Sequence, residues 1–242
     1  MSTIWIIAKR ELRSFFDSLL AYIVIIAFLV FTGLFTWILG PRPIFMAQEA
    51  SLQSFFGIAY WTLFFLIPAL SMKLIAEEKS SGTLELILTQ PVSDSQLVIG
   101  KWLSVFILVL LSLILTLPYY ITVASIGPID HGATIMGYLG LIFMSAAYIS
   151  LGVFASSITN NQIISFLLAL FIGIFFHLIF GIVSRYFHGF LGDVLNYFSL
   201  STHYSSITRG VIDSKDIIYF LSMIVLGLFG AEMVIGKRNI TD

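Results

Sequence analysis

The charged residues with the clearest potential for chemistry form one polar stretch, residues 77–94 (EEKSSGTLELILTQPVSD), between two long apolar segments. Glu77, Glu78 and Lys79 open it, and a short amphipathic turn of helix follows and ends at Pro91. Closely spaced carboxylates and an amine can form ion pairs and charge-assisted hydrogen bonds with a partner. An apolar chain has little use for such a charged stretch unless a partner binds it. We therefore expect a binding partner for residues 77–94.

The four histidines are the other candidates, as metal ligands or acid–base groups: His131, His177, His188 and His203. No H-E-x-x-H motif occurs, and a metal site would need the three histidines outside the apolar segments to converge in the fold. His177 lies within an apolar segment, where we expect a neutral imidazole that is hydrogen-bonded to a neighbouring helix, and a functional role is the alternative. The chain has no cysteine, which excludes disulfides, thiolate metal sites and cysteine nucleophiles.

Other catalytic constellations are missing from the sequence. No G-x-S-x-G motif supports a serine hydrolase, and no G-x-x-x-x-G-K-[ST] loop could cradle nucleotide phosphates. Glu232 is predicted to snorkel or to pair with Lys237 or Arg238, and a proton relay is the alternative. We therefore predict no catalytic residues, no metal site and no enzymatic activity for this chain.

The composition predicts a membrane protein. Of 242 residues, 59% are hydrophobic and only 10% are charged, with a mean hydropathy of +1.02, whereas a soluble domain has about a quarter charged residues. About 20 apolar residues cross a bilayer as a helix. We predict an all-α polytopic membrane protein, one transmembrane domain over residues 1–242, whose six transmembrane helices in the lipid bilayer cover residues 19–39, 56–76, 102–124, 134–157, 162–183 and 215–235.

The distribution of basic residues predicts the orientation. An even number of spans places both termini on one side, and that side carries eight flanking cations: Lys9, Arg10, Arg13, Lys73, Lys79, Lys101, Lys237 and Arg238. The other side carries four: Arg42, Arg185, Arg209 and Lys215. Since cytoplasmic loops are enriched in Lys and Arg, we expect the termini and the polar stretch in the cytoplasm. The net charge is −1 and no basic cluster occurs, so we expect no nucleic-acid partner.

Residues 3–18 are predicted to form a helix in the membrane interface. One face is apolar, with members at helical spacing: Ile4, Trp5, Ala8, Leu12, Phe15 and Phe16. The other face carries Lys9, Arg10, Glu11 and Arg13 and is expected to meet lipid headgroups. The alternative is that these residues are only the basic flank of the first span.

Residues 81–90 are predicted to form a short helix that Gly82 or Ser81 caps and Pro91 ends. Glu85 lies in its first turn, where the helix dipole favours a negative charge. The apolar side chains of Leu84, Ile87 and Leu88 share one face and those of Thr83, Glu85 and Gln90 share the other. Such a helix could transmit the movement of a cytosolic partner to the spans. The alternative is a capped connector.

Residues 185–212 on the outer side are predicted to form a re-entrant hairpin of two short helices. Apolar residues from Phe187 to Phe198 follow helical spacing, and residues 199–202 break the pattern. Pro68 and Pro118 lie inside predicted spans and should kink or interrupt them. A role of these prolines in gating is the less favoured alternative.

The chain resembles the permeases of ABC-2 type transporters. Their coupling region has the pattern E-[KR]-x-x-G-T-[LIF]-E, then apolar residues, a proline and G-K, and residues 78–91 with Gly100-Lys101 follow it. The resemblance extends to the run from Lys9 to Phe15, to the six spans and to the outer run Ile207–Asp213. Within the family the chain is most similar to the permease associated with gliding motility, and permeases of copper-enzyme maturation loci are close relatives.

The resemblance implies a permease subunit, in a bacterial cytoplasmic (inner) membrane, coupled to a separate cytosolic ATPase that binds ATP and Mg. The implied ATPase contacts are Glu77, Glu78, Lys79, Ser81, Gly82, Thr83, Leu84, Glu85, Gln90 and Pro91, with a smaller contact from the turn that contains Asn160 and Asn161. Arg209 and Gly210 end the outer hairpin. A second permease copy, or a partner membrane protein with an extracytoplasmic domain, is also implied, for transport or for force transmission. The alternative function is a non-transporting scaffold that recruits a cytosolic partner through residues 77–91.

Overall fold

The computed structural model describes residues 2–40, 43–44, 50–187, 189–211 and 213–237. These residues contain α-helices and no strand, which confirms the all-α class. The α-helices are Thr3–Asp17, Leu20–Leu34, Gln53–Ser71, Ala76–Ser80, Thr83–Leu88, Asp94–Ile114, Leu117–Ile126, His131–Ile158, Gln162–Ile174, Phe180–Val183, Phe190–Phe198, Leu200–Thr208 and Ser214–Gly236. The expectations that involve Arg42, His188, Ile212 and Arg238 lie outside the described residues.

Six helical segments of the described chain are long and apolar enough to cross a membrane, as predicted: Leu20–Leu39, Gln53–Ser80, Asp94–Ile126, His131–Ile158, Gln162–Val183 and Ser214–Gly236. We number them as the first to sixth spans. The largest difference from the prediction is the third span, which begins at Asp94 instead of 102. Its early start has a local cause, because Ser93 and Gln96 form a reciprocal capping box that satisfies backbone N–H groups at the helix start.

The fourth span is the centre of the bundle: 78% of its 18-residue apolar stretch is buried, against 22% in the first span and 17% in the fifth. Small residues allow its neighbours to approach closely, as is common between membrane helices. A Cβ atom on Gly227 of the sixth span would lie 2.5 Å from Ser150 Oγ, and one on Gly152 would meet Ser71 of the second span. Glycine is therefore required at these contacts.

The helices of the second and third spans are interrupted near their prolines. In the third span the helix stops at Ile114 and resumes at Leu117, with Pro118 in the first turn of the new helix. In the second span the helix Gln53–Ser71 contains Pro68 and is followed by a turn over residues 72–75. The prediction that these prolines kink or interrupt their spans agrees with both breaks.

Two short helices lie at the end of the bundle opposite to helix Thr3–Asp17; we call the two ends the amino-terminal face and the opposite face. They are Phe190–Phe198 and Leu200–Thr208, and the chain breaks between them at Ser199. The second packs on the fourth span, and the Tyr204 hydroxyl donates to the Phe56 carbonyl oxygen at 3.0 Å. The predicted hairpin thus has a helical counterpart, whose depth in a membrane stays a prediction.

The topology has a direct test because the chain has no cysteine of its own. Ser81 and Val211 are exposed on the amino-terminal and opposite faces, next to glycines whose positive φ angles disfavour substitution. We expect Ser81→Cys and Val211→Cys to react with an impermeant maleimide from opposite sides of the membrane. Labelling of both from the same side would contradict the six-span arrangement.

Candidate functional site

Helix Thr3–Asp17 packs lengthwise on the start of the third span. Ile7, Ala8 and Phe15 are buried in this contact region, and Gly100 allows the approach. A Cβ atom at Gly100 would lie 2.8 Å from Ile7 Cβ and 3.1 Å from the Ile4 carbonyl oxygen. The glycine of the G-K pair therefore has a steric explanation, since a larger residue at position 100 would push helix Thr3–Asp17 off the third span.

Four charged side chains from three elements meet beside Gly100, and we call them the ion-pair cluster: Arg10, Glu11, Glu78 and Lys101. Lys101 Nζ lies 2.8 Å from Glu78 Oε1 and 3.3 Å from Glu11 Oε1. Arg10 Nη2 contacts the same oxygens, at 3.1 Å from Glu78 and 2.7 Å from Glu11. The cluster joins helix Thr3–Asp17, the end of the second span and the start of the third.

Burial strengthens the attraction within the ion-pair cluster and also raises the cost of removing any one of its members. The Lys101 side chain is fully buried, and those of Glu11 and Glu78 are 14% and 15% exposed. Burial alone would raise the pKa of Glu11, but attraction to Lys101 and the hydrogen bond from Arg10 outweigh it and lower this pKa. Removing one partner of such a set leaves an uncompensated buried charge, which is costly.

The sequence interpretation placed Glu11 on an outward face, but the structure turns it inward, and the side chain of Glu78 also faces the cluster. Glu11 was predicted to face lipid headgroups with Lys9 and Arg13; those two residues are exposed, but the Glu11 carboxylate faces Lys101. Glu78 was predicted to contact the ATPase, yet its Oε1 atom lies between Lys101 and Arg10. Local spacing could not reveal this, because the partners are distant in sequence.

The short helix Thr83–Leu88 projects from this cluster. Gly82 is its N-cap, with φ of +71°, and the hydroxyl of Ser81 contacts that of Thr83 at 2.8 Å. Leu84 is 1% exposed and anchors the helix in the core, while Glu85 is exposed. The helix is shorter than the predicted 81–90, because residues 89–91 form turns and bends.

Leu86 is a candidate contact that the sequence interpretation missed. It lies on the short helix next to Glu85 and is 67% exposed, whereas Leu84 is buried and Ile87 is half-buried. One exposed leucine is not unusual by itself, but beside Glu85 it adds apolar area to the surface that the resemblance implies for the ATPase. The sequence interpretation placed Leu84 and Ile87 on the inner face, in agreement with their burial, and assigned Leu86 to neither face.

The break in the second span is bound to the end of the fourth span. Ser156 Oγ accepts hydrogen bonds from the backbone N–H groups of Ile75 and Ala76 at 3.1 and 3.0 Å and donates to the Met72 carbonyl oxygen at 3.0 Å. The amine of Lys79 donates to the Ser157 carbonyl oxygen. Ser156 thus satisfies backbone groups that the break would leave unpaired, and its hydrogen bonds join residues 72–76 to the end of the fourth span.

A groove of about 510 Å³ separates helix Thr3–Asp17 from the short helix. Its walls combine both signs of charge with apolar side chains: Arg10, Glu11, Lys73, Glu77, Leu86 and Lys101. Lys73 Nζ lies 4.5 Å from the centre of the Phe15 ring, a cation–π distance. The exposed rim includes Glu77 and Gln90, which were predicted as partner contacts.

The other residues predicted as ATPase contacts or as the end of the outer hairpin lie outside the groove. Pro91 is exposed beyond the short helix, and Asn160 is exposed in the turn before the fifth span. Asn161 caps that span, with its side-chain oxygen accepting from Ile163 and Ile164 N–H groups at 2.8 and 3.3 Å. On the opposite face, Arg209 is exposed and Gly210 has φ of +90°.

The histidines do not form a metal site within the described residues, where no group of three suitable ligands occurs. His177 is 2% exposed, and its ring stacks on Tyr60 with centroids 4.0 Å apart. The predicted hydrogen bond is wrong, because neither ring nitrogen has a partner among the described residues. A segment of π-helix over residues 175–179 turns the ring into an aromatic cluster instead. Glu232 is half-buried.

Residues 40–236 match the model of a family described as ABC-2 family transporter protein. The match covers most of the chain, including the polar stretch, the groove wall that it forms and the two outer helices, and it begins after helix Thr3–Asp17. No curated protein matches the sequence.

Proposed function

The chain belongs to the ABC-2 family of transporter proteins, and we propose that it couples a separate cytosolic ATPase to movement of its six spans. It is a multi-pass membrane permease component of an ABC transporter. The single observation that carries the proposal is the short helix Thr83–Leu88, which exposes Glu85 and Leu86 while Leu84 fixes it in the core. The sequence lacks a phosphate-binding G-x-x-x-x-G-K-[ST] loop, so ATP and Mg belong to the partner.

The proposed coupling path begins where the ATPase meets the short helix. A six-residue helix is marginal by itself, but the ion-pair cluster and Ser156 bind the preceding residues to three other elements. Displacement of Thr83–Leu88 would therefore move residues 76–80 together with the third and fourth spans and helix Thr3–Asp17. ATP would drive this shift only by binding one arrangement of the ATPase subunits more tightly than the other.

We propose a second permease, identical or related, against the first and fifth spans. These two are the least covered of the six described spans, with 22% and 17% of their 18-residue apolar stretches buried. A transport pathway would lie between the two permeases. If the chain belongs to the gliding-motility branch that its sequence resembles, we propose a partner membrane protein with a large extracytoplasmic domain, and force transmission instead of transport. The sparse charge of the spans favours lipid-like or polymer substrates over small ions where a substrate is moved.

The proposal places both termini and the polar stretch in the cytoplasm of a bacterial cell. It is supported by the excess of Lys and Arg on the amino-terminal face, where Lys9, Arg13 and Lys73 flank the groove region. On that face the short helix would be accessible to a soluble ATPase.

Affinity purification of the tagged chain in several mild detergents tests the proposal. We expect a chain with the G-x-x-x-x-G-K-[ST] motif and a second membrane protein to co-purify. Recovery of the chain alone in every detergent would contradict the proposal and favour the scaffold alternative. The identity of the second membrane protein would decide the gliding-motility branch.

A further inference from the structure

A buried histidine on the opposite face joins three elements. His203, on helix Leu200–Thr208, is 3% exposed, and its Nδ1 lies 2.7 Å from Oδ1 of Asp216, which is fully buried in the sixth span. Its Nε2 lies 2.8 Å from the carbonyl oxygen of Tyr197, near the end of helix Phe190–Phe198. The imidazole therefore binds both outer helices to the start of the sixth span.

Both nitrogens of this ring face hydrogen-bond acceptors, which constrains the number of protons. A neutral imidazole has one N–H group, so it can donate to either Asp216 or Tyr197 and must direct a lone pair at the other. Both contacts can be hydrogen bonds at the same time only with a doubly protonated ring, or with a protonated Asp216 that donates to Nδ1 while Nε2–H donates to Tyr197. Either way, the pair holds one proton more than a neutral histidine beside a carboxylate.

The residues around His203 and Asp216 hold the imidazole ring in place, and a cavity beside the pair offers the proton a path to leave. The Tyr219 ring stacks on the imidazole with centroids 4.0 Å apart. A polar cavity of about 240 Å³ borders His203 and Asp216, and Asp216 Oδ2 has no hydrogen-bond partner among the described residues. The charged groups nearby are Asp193 on helix Phe190–Phe198, Arg209 after the second outer helix, and Asp213 and Lys215 at the start of the sixth span. The fourth span meets the second outer helix through uncharged Gly140, against Tyr204 and Ile207.

We propose that His203 and Asp216 form a proton-binding site, and that the bound proton holds helix Phe190–Phe198 on His203 and thereby on the sixth span. When the proton leaves through the cavity, the neutral ring keeps its one N–H group on the charged Asp216 carboxylate, the stronger acceptor. The lone pair of Nε2 then faces the Tyr197 carbonyl oxygen, and this repulsive contact releases helix Phe190–Phe198. The face that carries the site is the one predicted to be extracytoplasmic, and the site would respond to the pH outside the cell.

Distance measurement between two spin labels tests this proposal on the full chain in lipid nanodiscs, without ATPase or substrate. Leu191 and Ile218 are exposed on the first outer helix and the sixth span, and Leu191→Cys with Ile218→Cys gives the only two thiols. We expect one narrow distance distribution at acidic pH that becomes longer and broader at alkaline pH, measured on both sides of the interval from about pH 5 to about pH 8. An unchanged distribution over this range would overturn the proposal.

Asp216→Asn is the matched control. Its amide can donate to Nδ1 while a neutral His203 donates to Tyr197, so no extra proton is needed and the distribution should stay narrow at every pH. His203→Gln, whose side chain does not titrate, should also be insensitive to pH. A shift with pH in Asp216→Asn equal to that of the parent chain would overturn the assignment. If neither variant folds, the parent chain's response to pH still decides.

Discussion

Replacing Lys101 with methionine is expected to destabilise the protein by about 3 kcal/mol, the lower end of the range for removing one partner of a buried ion pair. Lys101 is fully buried and contacts both Glu11 and Glu78. Without it, two half-buried carboxylates face each other with only Arg10, which is 51% exposed, to balance them. Unfolding of the purified chain by denaturant in detergent measures the effect, and helix Thr3–Asp17 should lose protection from hydrogen exchange first.

The control is Lys9→Met, which removes the same charge from an exposed position on helix Thr3–Asp17. Its effect should stay within about 0.5 kcal/mol. Lys101→Met, Glu11→Gln and Glu78→Gln together remove all the buried charges. This triple variant should regain most of the lost stability, because the attraction within a buried cluster does little more than offset the cost of taking its charges out of water. Equal stability of Lys101→Met and the parent chain would show that the cluster does not hold these elements together.

The pH dependence of stability provides a second readout of the cluster. The pKa of Glu11 is lowered in the folded chain, mainly by attraction to Lys101 against the opposing effect of burial. A depressed folded pKa contributes stability that is complete above the unfolded pKa of a glutamate, and that stability is lost as the pH falls through the folded value. The parent chain should therefore lose stability on acidification more steeply than Lys101→Met does.

Reversing the charge of Glu85 is expected to abolish binding of the ATPase while the permease stays in the membrane. Glu85 lies in the first turn of the short helix and is exposed beside Leu86. Arginine there would oppose the helix dipole. It would also place a positive charge against the basic groove that we expect on the ATPase. Such a mismatch costs several kcal/mol, and about 1.4 kcal/mol already lowers affinity tenfold. Co-purified ATPase should fall by more than about tenfold.

Thr89→Arg is the control for this change. It adds the same side chain at another exposed position, just after the last turn of the helix, where the dipole favours a positive charge. We expect it to retain the ATPase, and Glu85→Gln to retain an intermediate amount. Undiminished recovery of the ATPase with Glu85→Arg would refute the docking role of Glu85.

Patterns within one segment predicted the spans, the two interrupted helices and the capping role of Gly82, because hydropathy, proline and glycine act locally. Contacts between segments were not predictable in this way. Glu11 and Lys101 are 90 positions apart, and nothing near Glu11 shows that a lysine will face it. An acidic residue on an amphipathic helix normally indicates a solvated face, and here Gly100 allows the helix to approach so closely that Glu11 is covered.

The same reasoning explains the errors for the histidines. His177 was expected to find a polar partner on a neighbouring helix, but the residues that surround it are aromatic, including Tyr60 and Phe64. His203 drew attention only as a potential metal ligand, since Asp216 appears in the sequence as an ordinary first-turn residue of the sixth span. His203 and Asp216 meet only because the outer helices fold back on that span, which the sequence pattern does not reveal.

Photo-crosslinking from Leu86 in intact membranes tests the central claim most directly. With p-benzoylphenylalanine at this exposed position, we predict a crosslinked product that contains a chain with the G-x-x-x-x-G-K-[ST] motif. The same group at Leu191, which is 61% exposed on the opposite face, should not give that product. Crosslinks from Leu86 only to lipid or to the permease itself would contradict the account, because the short helix would then have no ATPase on it.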